Sequence, residues 1–436
     1  MKQISGWLFC IILFAFTENC FAQKSAQPIT TTYINGDALP DAPELATRGE
    51  FNVGVRTIDV VNKGQIDILK SKEGVDPLYD RPLKLEIWYP AVLSKKQKEV
   101  TTYEDVLGSP LDSTRPIIPF TFYGRAARDA DPDKGSVYPL IIVSHGYPGS
   151  RVLLSYLTEN LASKGYIVVA IDHKESTHRD QAGFASTLLN RAKDILFVLN
   201  QIADAGKKGS NSFLSEIVDA NNTALIGYSM GGYGVMNVAG AGYSDKLSGF
   251  FKMMTGGSTA INSRTTGNDE FKASIDPRIR AVVAFAPWGM QRGIWNAEGL
   301  KGVKVPLFFV AGSQDDVSGY EDGTKAMYTG TLNADRYLLT YINARHNTAP
   351  NPPPALTMND KKFSADYYHY AEPAWDQRRI NNINQHFVTA FLGIYLKQKE
   401  YGKYLDLPEK SNTKNWTGFT PRSSVGLELL HAKAGN

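Results

Sequence analysis

Ser229 stands in the stretch GYSMG, with Gly227 two residues before it and Gly231 two residues after. A serine hydroxyl is a weak nucleophile near neutral pH. To attack a carbonyl it needs a base, usually histidine, and a carboxylate to orient that base. It also needs N–H donors aimed at the oxyanion that forms. The pattern alone is a weak signal, with roughly 0.2 chance occurrences expected in a chain of this glycine content. Its surroundings add to it. An apolar run, residues 223–227, precedes Ser229, and a helix-forming run follows, giving a strand–turn–helix setting. The two glycines lack the Cβ atoms that would meet neighbouring backbone in so tight a turn. The competing reading is a structural glycine-rich turn, and that reading requires no partners elsewhere.

Partners are present at other strand ends. The run VPLFFVAG, residues 305–312, reads as a buried strand, and Asp315 and Asp316 follow it. Asp315, three positions past the closing glycine, is the expected acid, with Asp316 the alternative. The stretch YINARHN sets His346 just past a further strand, so His346 is the expected base. The other histidines suit the role less well. His173 and His178 precede Ser229 and read as cleft wall. His369 lies in an aromatic segment, His386 on the final helix and His431 in the tail. The loop His145-Gly146-Tyr147-Pro148-Gly149 follows the first strong buried strand, a position from which such a loop supplies an oxyanion donor. Pro148 has no N–H, which leaves Tyr147 as one expected donor. Met230, at the helix N-terminus after Ser229, is the other. His145 is then expected to hold the loop.

These residues need a frame. Residues 51–62 and 81–91 alternate apolar and polar and read as an antiparallel hairpin, with Leu83, Leu85, Ile87 and Tyr89 on one face. Residues 95–134 read as an irregular surface excursion. Continuous apolar runs at 138–146, 166–172, 223–229, 279–287, 305–312 and 336–345 read as strands buried on both faces. Helical spacing recurs at 153–165, 188–204, 230–240 and 376–397. Strand and helix alternate, which predicts an α/β fold with a mainly parallel sheet covered on both faces. Reactive groups in such sheets sit beyond the C-terminal strand ends, where the residues above fall. Two stretches, 244–276 and 347–374, break the alternation and read as lid or rim insertions. The tail, 401–436, is polar and without a motif.

The first residues, MKQISGWLFCIILFAFTENCFAQ, combine Lys2 with an apolar run of signal-peptide length, and Cys20-Phe21-Ala22 resembles a cleavage site. Residues 1–22 are therefore expected to be a signal peptide, followed by a leader, 23–49, and a catalytic domain, 50–400. A lipid anchor at Cys20 is the alternative, though Glu18-Asn19 does not resemble the small residues such a site carries. The only cysteines, Cys10 and Cys20, fall in this segment, so the processed chain is expected to hold no disulfide, thiol nucleophile or cysteine metal site. The expected location is the periplasm or the exterior. Net charge is +3 with both signs interspersed, which argues against a nucleic-acid partner. No later stretch is apolar and long enough to suggest stable membrane insertion.

The segments VGVRTIDV, LEIWYPA, YPLIIVSHGYPGSR, LASKGYIVVAIDH, GYSMGGYG and RRINNINQHFVTAFLGIYL resemble the dienelactone-hydrolase-like branch of the α/β-hydrolases, including bacterial relatives of platelet-activating-factor acetylhydrolase. The chain also resembles the cutinase-like polyester hydrolases. The resemblance spans about residues 51–397. It implies the α/β-hydrolase fold, hydrolysis of a small-molecule or lipid-like ester, and no cofactor. It maps the nucleophile onto Ser229, the acid onto Asp315, the base onto His346 and the oxyanion donors onto Tyr147 and Met230. In AFAPWGM it also implies that Trp288 is a cleft residue, with Tyr147 lining the same cleft. Two departures matter. Dienelactone hydrolases proper use a cysteine nucleophile, and the insertions here exceed a compact cutinase. An acyltransferase or a peptidase would use the same triad.

Overall fold

Each switch in hydrophobic period marks a change of element in the computed structural model, which describes residues 33–435. The expected signal peptide, 1–22, and the start of the leader lie outside the described residues. From Ile34 onward the chain packs as one unit. Leader residues seat on the last helix. The Leu39 N–H donates to Asn382 Oδ1 at 2.9 Å and the Leu45 N–H to His386 Nδ1 at 3.0 Å.

Strands β1 (Asn52–Ile66) and β2 (Leu78–Val92) form the expected antiparallel hairpin. Leu83, Leu85, Ile87 and Tyr89 enter one buried cluster, while Trp88 between them enters the other. The next stretch corrects the expectation of an irregular excursion over 95–134. Strands β3 (Thr101–Leu107) and β4 (Ile118–Gly124) pair antiparallel as a separate two-stranded sheet. Two short strands follow, β5 (Ala127–Arg128) against β1 and β6 (Asp131–Pro132) against β2. Tyr103 anchors the small sheet. Its hydroxyl accepts from Trp88 Nε1 at 2.7 Å and donates to Glu159 Oε1 at 2.6 Å.

The core units follow in order: β7 (Tyr138–Ser144), α1 (Ser155–Ser163), β8 (Ile167–Asp172), α2 (Phe184–Gly206), β9 (Val218–Tyr228) and α3 (Met230–Val238). Two helices, α4 (Asp245–Met254) and α5 (Asp269–Ala273), precede β10 (Ile279–Phe285). Then come α6 (Ala297–Lys301), β11 (Leu307–Gly312), α7 (Lys325–Gly330), β12 (Arg336–Tyr341), α8 (Ser364–Tyr367), α9 (Gln377–Lys397) and β13 (Leu427–Ala432). The main sheet runs β13-β12-β11-β10-β9-β7-β8-β2-β1-β5, with β7 to β12 parallel. Side chains on a strand alternate between faces. Leu140 and Ile142 of β7 therefore meet α2 and α3, while Ile141 and Val143 meet α1 and α9.

The tail is also corrected. Read from the sequence only as polar and without a motif, it joins the sheet, because β13 pairs antiparallel with β12 and closes that edge. Trp416, 1 % exposed, packs against Phe387 and Phe419, and its Nε1 donates to Pro408 O at 2.9 Å. The polar residues between these anchors hide the strand in the sequence. Trp416→Ala is expected to lower the unfolding free energy by about 3–5 kcal/mol. Urea denaturation followed by far-UV circular dichroism measures it.

Candidate active site

Ser229 occupies the turn between β9 and α3 with φ of 52° and ψ of −112°. A residue with a Cβ adopts this region only when its surroundings force it. Here the surroundings are backbone. The Ser229 N–H donates to Phe285 O at 2.9 Å, and Ser229 O accepts from Tyr233 N at 3.0 Å and Trp288 N at 3.1 Å. A Cβ on Gly227 would lie 2.4 Å from Gly231 O, and one on Gly231 would lie 1.8 Å from Ser144 O. Both glycines are therefore steric necessities of the turn. The serine projects at the C-terminal end of the sheet, beside the other loops.

The structure brings Ser229, His346 and Asp315 into one hydrogen-bonded line. His346, in the loop after β12, sets Nε2 3.0 Å from Ser229 Oγ. Its Nδ1 lies 3.1 and 3.0 Å from the two Asp315 oxygens. Asp315 is buried just past β11, and Oδ1 also accepts from the Val317 and Ser318 N–H groups, both at 2.9 Å. Those bonds aim the carboxylate. Asp316 is placed differently, half exposed and ion-paired with Arg345. Its Oδ1 accepts from Arg345 Nε at 3.1 Å, and it makes no hydrogen bond to His346.

The loop after β7 lies against the serine. A Cβ on Gly146 would come within 3.5 Å of Ser229 Cβ. Met230, as the first residue of α3, has an N–H without an intrahelical acceptor. His145 is buried under the loop. Its Nδ1–H donates to Gly146 O at 2.6 Å and its Nε2 accepts from His173 N at 3.2 Å. Burial and the nearby Arg191 hold His145 well below the ordinary imidazole range. Arg191 of α2 donates to His145 O at 2.6 Å and Gly146 O at 3.4 Å, and it also bonds Ser176. Its buried guanidinium ties down both carbonyls that precede Tyr147.

His173 departs from the expected cleft wall. It is buried in a polar chain beneath the loop, 2.9 Å from both Ser144 Oγ and Asp194 Oδ2. Burial, with Arg191 adding, pushes it down to about 3. Arg81 grips Asp194 at 2.8 and 3.0 Å, so the carboxylate stays ionised despite its burial. His178 is likewise buried, with Nε2 3.2 Å from His369 Nε2 and Nδ1 3.1 Å from Gly108 O. His386 packs against Tyr404 and Phe419. His431 pairs with Asp335 at 2.8 Å.

Trp288 is half-buried past β10 and meets Phe184 edge-to-face at 5.3 Å. Phe184 meets Tyr147 in the same way at 5.3 Å, so the three rings form a continuous wall. The Tyr147 hydroxyl donates to Ala182 O at 2.7 Å, which fixes one end. Phe184 carried no sequence signal, since the helical spacing was read only from residue 188, whereas α2 begins at Phe184. A cavity of about 210 Å³ adjoins His346, lined by Asp316, Tyr368, Ala371, Glu372 and neighbours. A larger one, about 690 Å³, opens at the opposite strand ends near Tyr138 and Tyr166, away from the nucleophile and base. Among the described residues, no group of three or more His, Cys, Asp or Glu is placed to hold a metal ion. Among those residues, too, no helix is long and apolar enough to cross a membrane.

Residues 123–247 match the PET hydrolase-like family. That span contains Ser229 and the His145–Gly149 loop but neither Asp315 nor His346. Cutinase est1 of Thermobifida alba is 24% identical over 221 residues, covering 50% of this chain and 57% of that protein. The chain thus matches little more than half the length of that relative. Cutinase 2 of Thermobifida cellulosilytica is 21% identical over 276 residues, covering 62% of this chain and 80% of that one. The ferulic acid esterase from Streptomyces cinnamoneus superposes with a TM-score of 0.56 at 18% identity, covering 90% of this chain and all of the other.

Gly231→Ala is expected to destabilise the fold by about 1–3 kcal/mol or more, because backbone rather than a movable side chain fills the space. Thermal unfolding of the variant beside Gly249→Ala, where an added Cβ meets nothing, checks it. With its parallel sheet, the strained serine turn and these likenesses together, the chain has the α/β-hydrolase fold and is similar to the cutinases.

Proposed function

We propose that the protein is a secreted serine hydrolase that cleaves carboxylic esters through an acyl-enzyme. The observation that carries this reading is the line Ser229 Oγ, His346 Nε2, His346 Nδ1, Asp315, with contacts of 3.0 Å on either side of the imidazole. His346 removes the proton from Ser229 Oγ as the oxygen attacks the ester carbonyl carbon. The Tyr147 and Met230 N–H groups bind the oxyanion. The tetrahedral intermediate collapses, the C–O bond to the alcohol breaks, and His346 passes its proton to the leaving alkoxide. Water, deprotonated by His346, then attacks the acyl carbon, and the proton returns to Ser229 as the acid departs. Asp315 keeps Nδ1 protonated and stabilises the imidazolium.

The ring wall of Tyr147, Phe184 and Trp288 supports an apolar or aromatic acyl or alcohol group. The stretches 244–276 and 347–374 fit a rim around this cleft. Met254 of the first shares a cavity of about 450 Å³ with Phe184 and Leu69, and residues of the second border His346. Export rests on the character of residues 1–22 and leads to the periplasm or exterior. Acyl transfer would use the same residues, and added alcohols would then divert product from acid to new ester.

Ser229→Ala is expected to remove p-nitrophenyl acetate turnover, a loss on the order of 10⁴-fold or more, with an unchanged circular dichroism spectrum. Asp315→Asn should cost on the order of 10⁴-fold in kcat, because the imidazole tautomer is lost. Asp316→Asn should stay within about threefold of wild type, since Asp316 spends its charge on a surface ion pair. Steady-state kinetics of the three variants separates the two aspartates. Comparable losses in both Asp variants would contradict the assignment.

A further inference from the structure

Glu372 has no part in the mechanism above, yet its carboxylate lies behind the base. It is 5% exposed. Oε2 accepts from the Arg345 N–H at 2.6 Å and Oε1 from the Asn347 N–H at 2.5 Å. These are the N–H groups of the two residues that flank His346. One side chain thus holds the backbone on both sides of the imidazole-bearing residue. Asn347 extends the attachment. Its Nδ2 donates to Tyr368 O at 2.7 Å and Ala371 O at 3.0 Å, and its Oδ1 accepts from the Tyr228 hydroxyl at 3.1 Å. Gln377 Nε2 adds a bond to Asn347 O at 3.0 Å.

The charge on Glu372 has no cationic side chain bonded to it. Arg345, the adjacent guanidinium, turns to Asp316 instead. Burial raises the Glu372 carboxyl above its ordinary range, against the pull of the Arg345 and Asn347 N–H groups and of His346. The one cation that forms beside it during a turnover is the His346 imidazolium. The other charged or titratable groups facing that imidazole are Asp315, Asp316 with its partner Arg345, Tyr228 and His369. A buried carboxylate that is bonded only to backbone N–H groups carries a field at little cost in reorganisation.

We propose that Glu372 is a positioning residue for His346, fixing the base opposite Ser229 through the N–H groups of the two flanking residues and adding a second negative charge near the imidazolium. This rests on the reading of His346 as the base. It also gives the proline-rich stretch 347–374 a second task. That stretch braces the base loop from behind as well as bordering the cleft.

Two variants of the full chain separate the two effects. Glu372→Gln keeps the shape and one acceptor but loses the charge. Glu372→Asp keeps the charge but is too short to reach both N–H groups. With p-nitrophenyl acetate, Glu372→Gln is expected to lower kcat about 10–100-fold, with KM within about threefold of wild type. The acidic limb of its kcat/KM profile should move to lower pH, because the imidazolium has lost a counter-charge. Glu372→Asp should also lower kcat but leave that limb where it is in wild type. An unmoved acidic limb in folded Glu372→Gln, or wild-type kcat in both variants, overturns the proposal. If circular dichroism shows that Glu372→Gln does not fold, Glu372→Asp decides alone. Lowered kcat with unchanged KM and limb supports the proposal, and wild-type kcat overturns it. Ser229→Ala is run alongside. Turnover surviving in that control refutes the reading of the site, on which the role of Glu372 rests, whereas turnover lost there with wild-type behaviour of the Glu372 variants refutes the role of Glu372 alone.

Discussion

Everything at the site depends on a steric constraint, the closeness of α3 to the end of β7. Gly231 sits so near Ser144 O that no side chain fits, and a Cβ on Gly227 would likewise come too close to Gly231 O. That packing forces Ser229 to a φ of 52°. The strain is offset by backbone hydrogen bonds, one donated by Ser229 to Phe285 and two accepted by Ser229 O from Tyr233 and Trp288. The turn therefore positions three things together. It lifts the hydroxyl out of the sheet, leaves the Met230 N–H unpaired at a helix start, and links the serine to the strand end that carries Trp288.

A buried electrostatic layer supports this turn from below. Arg81, Asp194 and His173 form one hydrogen-bonded chain, and Arg191 holds the carbonyls of His145 and Gly146. Burying an arginine is costly unless its donors find acceptors. Two of the acceptors here belong to the loop that carries Tyr147, so the bonds of the Arg191 Nη atoms also fix that loop, while its buried Nε has no acceptor. Burial lowers Arg191 to about 9, against the pull of Asp194. On the far side of the cleft, Glu372 makes a comparable arrangement with the peptides around His346. Both oppose the mobility that a catalytic loop would otherwise have.

Much of this was legible in the sequence because the parallel strands are buried on both faces and read as unbroken apolar runs. β7 through β12 all announce themselves in this way, and the loops after them are short enough to locate Ser229, Asp315 and His346 by position. The preference for Asp315 over Asp316 rested on its spacing past Gly312 alone, since adjacent carboxylates differ only in which way the loop turns. The β3–β4 pair was hidden because polar residues occupy buried positions of β3, Thr101 and Asp105 lying beside Tyr103, Val106 and Leu107, so no apolar alternation shows. β13 was hidden by its edge position, where one face meets solvent and polar residues dilute the pattern. Glu372 gave no signal at all. It is one carboxylate in a proline-rich, aromatic stretch, and its meaning depends on a fold that returns it to His346.

The central claim is that the turn, the base and the acid make Ser229 Oγ an activated nucleophile. Treating the purified protein with a fluorophosphonate probe and mapping the adduct by peptide mass spectrometry tests it most directly. The account predicts one adduct, on the peptide containing Ser229, formed in step with loss of esterase activity. Modification at another residue, or none while turnover of an ester is lost, would contradict it.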